Sequence, residues 1–99
     1  MSYYFIDKKT NEKKTYKEIL DTIVQKMAEL SNKSPEDTSM IFAIDASLSI
    51  YLEHFLNDTT SPNNDEKVCN ICNKFLEGQS KEFQKIILDI FRDNTISRI

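Results

Sequence analysis

The chain contains one glycine and two prolines in 99 residues. An all-β sandwich or barrel needs many tight turns, and that need is met chiefly by glycine and proline, so a turn-rich β architecture is excluded. Cysteine is limited to Cys69 and Cys72, the two ends of one CxxC. A structural zinc site takes four ligands, usually two such pairs or a pair plus two histidines. The second pair is missing here, and His54 is the single histidine. Neither a GxSxG nucleophile elbow nor a glycine-rich phosphate loop occurs. No apolar run is long enough to span a bilayer without interruption, because Asp45, Glu53 and His54 break the best one. The opening MSYYFIDKK lacks the basic-then-apolar order of a signal peptide. These absences predict a cytoplasmic protein with reduced thiols, no cofactor and no membrane partner.

What is present is an ordinary globular composition, 39% hydrophobic and 29% charged, in a chain the length of one domain. Such a chain buries roughly 60–70% of its unfolded surface, so one core is possible with thin margins. The most apolar stretch is residues 40–56, MIFAIDASLSIYLEHFL. Ile41, Ile44, Leu48, Leu52 and Phe55 recur at helical spacing. Met40, Phe42, Ala43, Ala46, Ile50, Tyr51 and Leu56 fill much of the remaining circumference. A helix apolar nearly all round is a buried one, so this segment is expected to be the central helix on which the rest packs.

The other elements follow from caps and periodicity. Residues 3–7, YYFID, are aromatic and β-branched and predict a strand. Residues 8–14 form a polar turn with Thr10-Asn11 at its tip, and a short second strand would complete a hairpin lying on the helices. Thr15 and Glu18 fit a capping box, and the stripe Tyr16, Ile19, Leu20, Ile23, Val24, Met27, Leu30 predicts a helix over 16–31. Ser34 and Pro35 predict the start of the central helix over 35–56, with Glu36 and Asp37 meeting its dipole. Ser61 and Pro62 predict a third helix over 62–77, ended by Gly78 in a left-handed cap. Ser80 opens a fourth over 81–93, with Phe83, Ile86, Ile87, Ile90 and Phe91 as its buried stripe. Residues 95–99 alternate weakly and read either as a frayed tail or as a strand beside residues 3–7. The expected fold is a mainly α, small four-helix domain, residues 1–99, with an N-terminal β-strand or hairpin (residues 3–14) packed on it.

Candidate chemistry is sparse. Cys69 and Cys72 fall mid-helix among Val68, Ile71 and Phe75, so they read as core cysteines. A metal, if any, would take Cys69, Cys72 and His54. Ser47, Asp45 and His54 lie on one helix, and positions 47 and 54 are two turns apart, too far for a nucleophile–base pair. No enzyme is therefore expected. Asp45 sits in the most apolar run, so it either emerges on a narrow polar strip with Ser49 and Glu53, each four apart, or has a partner; the spacing favours the strip. Lys8, Lys9, Lys13 and Lys14 beside Tyr3 and Tyr4 suit phosphate contact and base stacking. Asp7 and Glu12 dilute that cluster and the pI is near 5.1, which argues for a solvated hairpin and against specific duplex DNA binding.

Charge is the least ordinary feature. Residues 34–66 hold seven acids and no lysine or arginine, whereas the flanking thirds are each net positive. An acidic surface of this kind steers a basic partner into contact. Glu36 and Asp37 sit at the start of the central helix, and Asp58, Asp65 and Glu66 surround the loop after it. The loop group is the candidate partner-binding surface, with the hairpin residues Tyr3, Tyr4, Lys8, Lys9, Lys13 and Lys14 next in line. The expected function is a non-catalytic protein-binding module that inhibits or regulates a partner, itself basic or nucleic-acid-binding. An immunity protein or antitoxin that neutralises a toxin is one alternative, and a small DNA-binding regulator is another. The short, Asn/Lys/Ile-rich chain looks like many small proteins of AT-rich bacteria and their phages, which suggests a phage or mobile-element origin. A chain this short also leaves the stripe Phe42, Ala46, Ile50 or the stripe 83–91 partly bare, and a two-fold homodimer would cover it.

Overall fold

In a computed structural model that describes residues 2–99, β1 (Tyr3–Asp7) is the middle strand of a three-stranded antiparallel sheet. On one edge it pairs with β2 (Lys13–Thr15), placing Phe5 opposite Lys14. On the other it pairs with β3 (Asn94–Arg98) along its whole length, from Tyr3 opposite Arg98 to Asp7 opposite Asn94. The helices are α1 (Tyr16–Ser31), α2 (Thr38–Asn57), α3 (Asn64–Ile71) and α4 (Lys81–Asp93), with a π-helical turn (Cys72–Leu76) continuing α3.

This corrects the expected class. The domain is not a four-helix unit carrying an N-terminal strand or hairpin; it is mostly helical with a complete small sheet built from both ends of the chain. The physical reason lies in β1. Tyr3 and Phe5 are buried in the core, which holds the β1 backbone against it, and both edges of the strand find hydrogen-bond partners. β2 is only three residues long and covers one edge. The weak alternation at the C-terminus supplies the other, with Ile96 turned inward and Thr95 outward.

Two helices keep their expected bounds, 16–31 and 81–93, because local caps define them. The Thr15 hydroxyl accepts from Glu18 N–H at 3.2 Å, and the Glu18 carboxylate accepts from Thr15 N–H at 3.2 Å. Asn32, left-handed at φ 55°, closes α1. Ser80 caps α4 by accepting from Phe83 N–H at 3.2 Å. The other two helices start later than expected. Asp37, not Ser34, caps α2, accepting from Met40 N–H at 3.1 Å. Pro35 instead sits second in a turn closed by Asp37 N–H to Ser34 C=O at 3.1 Å, a position that its fixed φ suits. Asn63, not Ser61, caps α3, accepting from Glu66 N–H at 3.0 Å. Gly78 does not adopt a left-handed backbone, so α3 ends through the π turn and not through a glycine cap.

The core joins α2 to every layer. Leu48 and Leu52 are fully enclosed, with Ile44, Tyr51 and Phe55 beside them. Each such side chain contributes about 1.5–3 kcal/mol by leaving water. Phe5, Ile23, Leu76, Ile87 and Phe91 close the core from the sheet, α1, the π turn and α4. The expectation that α2 is buried all round is also corrected. Phe42 is 77% exposed and Ile50 49% exposed, because among the described residues no element packs over the face of α2 that carries them. Among the described residues α2 is the one helix long and apolar enough to cross a membrane by length and composition, yet five of its residues sit in the core.

Candidate partner-binding surface

The loop between α2 and α3 is organised by one carboxylate. Asp58 Oδ1 accepts from Thr60 N–H at 3.0 Å, Thr60 Oγ1 at 3.0 Å and Ser61 N–H at 3.1 Å. Its Oδ2 accepts from Ser61 Oγ at 2.8 Å and from Asn70 Nδ2 on α3 at 3.2 Å. Asn70 also donates to Ser61 Oγ at 2.9 Å. Ser61, Asn70 and the loop N–H and hydroxyl groups hold this carboxyl well below the usual carboxylate range, since each donor favours the charged form. Asp58 therefore faces its own loop. Asp65 and Glu66 stand exposed in the first turn of α3, where they also meet the positive end of its dipole.

Beside this loop runs an open cleft of about 530 Å³ between the C-terminal half of α2 and α3 with its π turn. His54, Asn57, Lys67, Asn70, Lys74 and Phe75 line it, together with Asp58, Thr59 and Thr60. The π turn inserts one residue into the helical repeat, which turns Leu76 into the core and Phe75 toward the cleft. The His54 ring lies tilted by 59° against Phe75 with ring centres 4.6 Å apart, and Lys74 Nζ lies 5.7 Å from the centre of the Phe75 ring. Lys67 Nζ sits 5.6 Å from the Phe55 ring. Periodicity of 3.6 could not reveal the π turn; only the five-residue step from Ile71 to Leu76 hints at it.

The remaining candidates are dispersed. Cys69 is exposed and Cys72 half-buried, so the expected pair of core cysteines is corrected to one exposed thiol and one packed against the core. Burial pushes the Cys72 thiol up, and Cys69 adds to it. Among the described residues no three His, Cys, Asp or Glu side chains converge, so Cys69, Cys72 and His54 do not form a ligand group. In the hairpin, Tyr3 is buried and unavailable to a partner. Tyr4 is half-buried with Lys13 Nζ 4.6 Å from its ring centre. Lys8, Lys9 and Lys13 are exposed and Lys14 is half-buried. The hairpin loop is pinned by Asp7, which accepts from Lys9 N–H at 2.8 Å and Thr10 N–H at 3.0 Å; these bonds lower its pKa.

The polar strip of α2 is half-buried and its carboxylates are partnered. The Tyr16 hydroxyl donates to the Asp45 carboxylate and lies 3.1 Å from Ser49 Oγ. The Tyr3 hydroxyl donates to the Glu53 carboxylate. Arg98 at the end of β3 reaches Glu53 at 3.4 Å and Asn57 at 2.6 Å. Burial, reinforced by these carboxylates, pushes both tyrosines up to about 12. Tyr3 and Arg98 in turn lower Glu53. The sequence allowed a partner for Asp45 but did not name Tyr16 or Tyr3, which lie 29 and 50 positions from the carboxylates they bind. They seal one side of α2 against the sheet and α1, leaving the α2–α3 corner and the Phe42–Ile50 row as its outward surfaces. The chain matches no known protein-family model, no curated protein and no solved structure.

Proposed function

We propose that this protein is a non-catalytic binding module that inhibits or regulates a partner protein, and that the partner docks at the α2–α3 corner. The observation that carries the reading is the loop held by Asp58. A loop already fixed by five hydrogen bonds to one carboxylate loses little entropy when a partner seats on it. Beside it, Asp65 and Glu66 offer exposed negative charge that no ion pair consumes among the described residues. A basic protein, or the basic surface of a nucleic-acid-binding one, is the chemistry that complements them.

Catalysis is a poorer reading, because His54 rests on Phe75 and no hydrogen bond among the described residues joins it to a serine or cysteine. Specific duplex DNA is a poorer ligand, because the hairpin lysines are diluted by acids and Tyr3 is unavailable for stacking. Neutralisation of a toxin is a special case of the same reading. A phage or mobile-element origin and a cytoplasmic location belong to the proposal on composition alone.

The test is affinity capture from cells that carry the protein, with wild type beside the double variant Asp65→Lys/Glu66→Lys. Both residues are exposed, so the variant should fold. A single stoichiometric protein retained by wild type and lost from the variant supports the reading. Equal retention by both overturns the corner as the docking surface.

A further inference from the structure

We propose that the cleft between α2 and α3 is a binding site for a phosphate monoester carried on a small, partly apolar molecule. The inference goes beyond the docking reading and does not depend on it, since Asp65 and Glu66 do not line the cleft. At about 530 Å³ the cleft has the size of a small-molecule site. Its lining is drawn from separate elements. The end of α2 brings His54 and Asn57, the loop after it Thr59, and α3 with its π turn Lys67, Asn73 and Lys74.

The side chains left unengaged in this lining offer mainly donors, and that selects an anion. Asp58 is the carboxylate of the lining, and both its oxygens are already taken by donors from Thr60, Ser61 and Asn70. Asn57 Oδ1 accepts from Arg98 Nη2 at 2.6 Å, so its Nδ2 is the group left over. Among the described residues neither Lys67 nor Lys74 makes an ion pair. Each ammonium lies near an aromatic ring instead, Lys67 5.6 Å from the centre of Phe55 and Lys74 5.7 Å from that of Phe75. Lys67 is half-buried, so its charge has lost part of its water without gaining a counter-charge. An anion in the cleft supplies that counter-charge. The paired ammonium charges match the near-double negative charge of a phosphate monoester at neutral pH. Lysine meets phosphate as a point charge, without the planar fork by which arginine grips a carboxylate. Donors arriving from separate elements suit a tetrahedral group better than a flat one. Phe75 and Ile71 in the cleft wall receive the apolar remainder of the ligand.

Titration of the full chain with phenyl phosphate, followed by amide NMR at about pH 7.5 where the monoester is chiefly a dianion, reads this directly. Saturable shifts should appear at Thr59, Asn70, Asn73 and Phe75. Phenyl phosphate should bind about tenfold or more tightly than benzoate, which lacks the second charge, and than inorganic phosphate, which lacks the apolar part. Lys67→Met keeps a stem on Phe55 and removes the charge, so the fold should persist while binding weakens about tenfold or more. Lys67→Met with Lys74→Met should abolish saturation. Asp65→Lys/Glu66→Lys should leave binding intact, so this proposal and the docking reading fail separately. Shifts that stay linear in phenyl phosphate, scatter over lysines outside the cleft, or saturate in the double methionine variant overturn the site. Benzoate bound as tightly as phenyl phosphate overturns the phosphate assignment, and inorganic phosphate bound as tightly overturns the apolar part of the ligand.

Discussion

Tyr16 and Tyr3 fix the orientation of α2 by donating to Asp45 and Glu53. Replacing Tyr16 with phenylalanine keeps the packing and removes the donor, leaving a half-buried carboxylate short of a partner. The expected loss is about 1–3 kcal/mol, read by urea denaturation. The pH response has a defined sign. Both hydroxyls titrate near 12 in the fold, against an ordinary value of 10.0. Their contribution is therefore complete below about pH 10 and is lost as pH rises through 12. Stability measured across that window should fall less steeply in Tyr16→Phe than in wild type. Asp58 works in the opposite sense. Its pKa is depressed by Ser61 and Asn70, so its contribution is present above the ordinary carboxylate range and is lost as pH falls below it. Asp58→Asn should flatten the acid limb of the stability curve below about pH 4 and accelerate amide exchange at Thr60 and Ser61.

At the scale of elements, β3 determines the class of the fold. Ile96 is buried against the core from the edge of the sheet. Ile96→Ala should cost about 2–5 kcal/mol by thermal or urea unfolding; a cost within experimental error would mean the C-terminus is a dispensable tail. Asn94 marks the joint between α4 and β3, where its side-chain amide donates to Ile90 C=O at 2.9 Å and ends the helix. Elements defined by local chemistry were legible in the sequence. The Thr15 capping box and the stripe from Tyr16 to Met27 place α1, although Leu30, expected in the same stripe, is exposed, and Ser80 with Phe83, Ile87, Ile90 and Phe91 places α4. Elements settled by competition or distance were not. Ser34 and Asp37 are both good caps, and the turn that Pro35 favours hands the role to Asp37. The pairing of β1 with β3 joins residues some ninety positions apart; the weak alternation of residues 95–99 allowed it beside the alternative of a frayed tail, but no local pattern chose between the two. The candidate site divides the same way. The acidic loop group was visible as charge, while the inward turn of Asp58, the π turn under Phe75 and the tyrosine clamps depend on tertiary contacts.

At the scale of the molecule, a radius of gyration of 13.2 Å is that of a well-packed domain of this length. The packing leaves α2 with three different sides. Ile44, Leu48, Tyr51, Leu52 and Phe55 face the core, Asp45, Ser49 and Glu53 face the tyrosines, and Phe42, Ala46 and Ile50 face outward. The acids of residues 34–66 divide accordingly. Asp45 and Glu53 are consumed by clamps, Asp37 by a cap and Asp58 by its loop, which leaves Glu36 at one end of α2 and Asp65 and Glu66 beyond the other. The negative surface available to a partner is thus smaller than the sequence count implies and is concentrated at the α2–α3 corner.

The claim that a partner docks at that corner is tested most directly by the association rate of the captured partner across a salt series. Exposed charges at the edge of an interface act mainly on association, and salt screens them. Wild type should associate more slowly as salt rises, whereas Asp65→Lys/Glu66→Lys should associate severalfold more slowly at low salt with a flattened or inverted salt dependence. Identical rates and identical salt slopes for the two proteins would contradict the account.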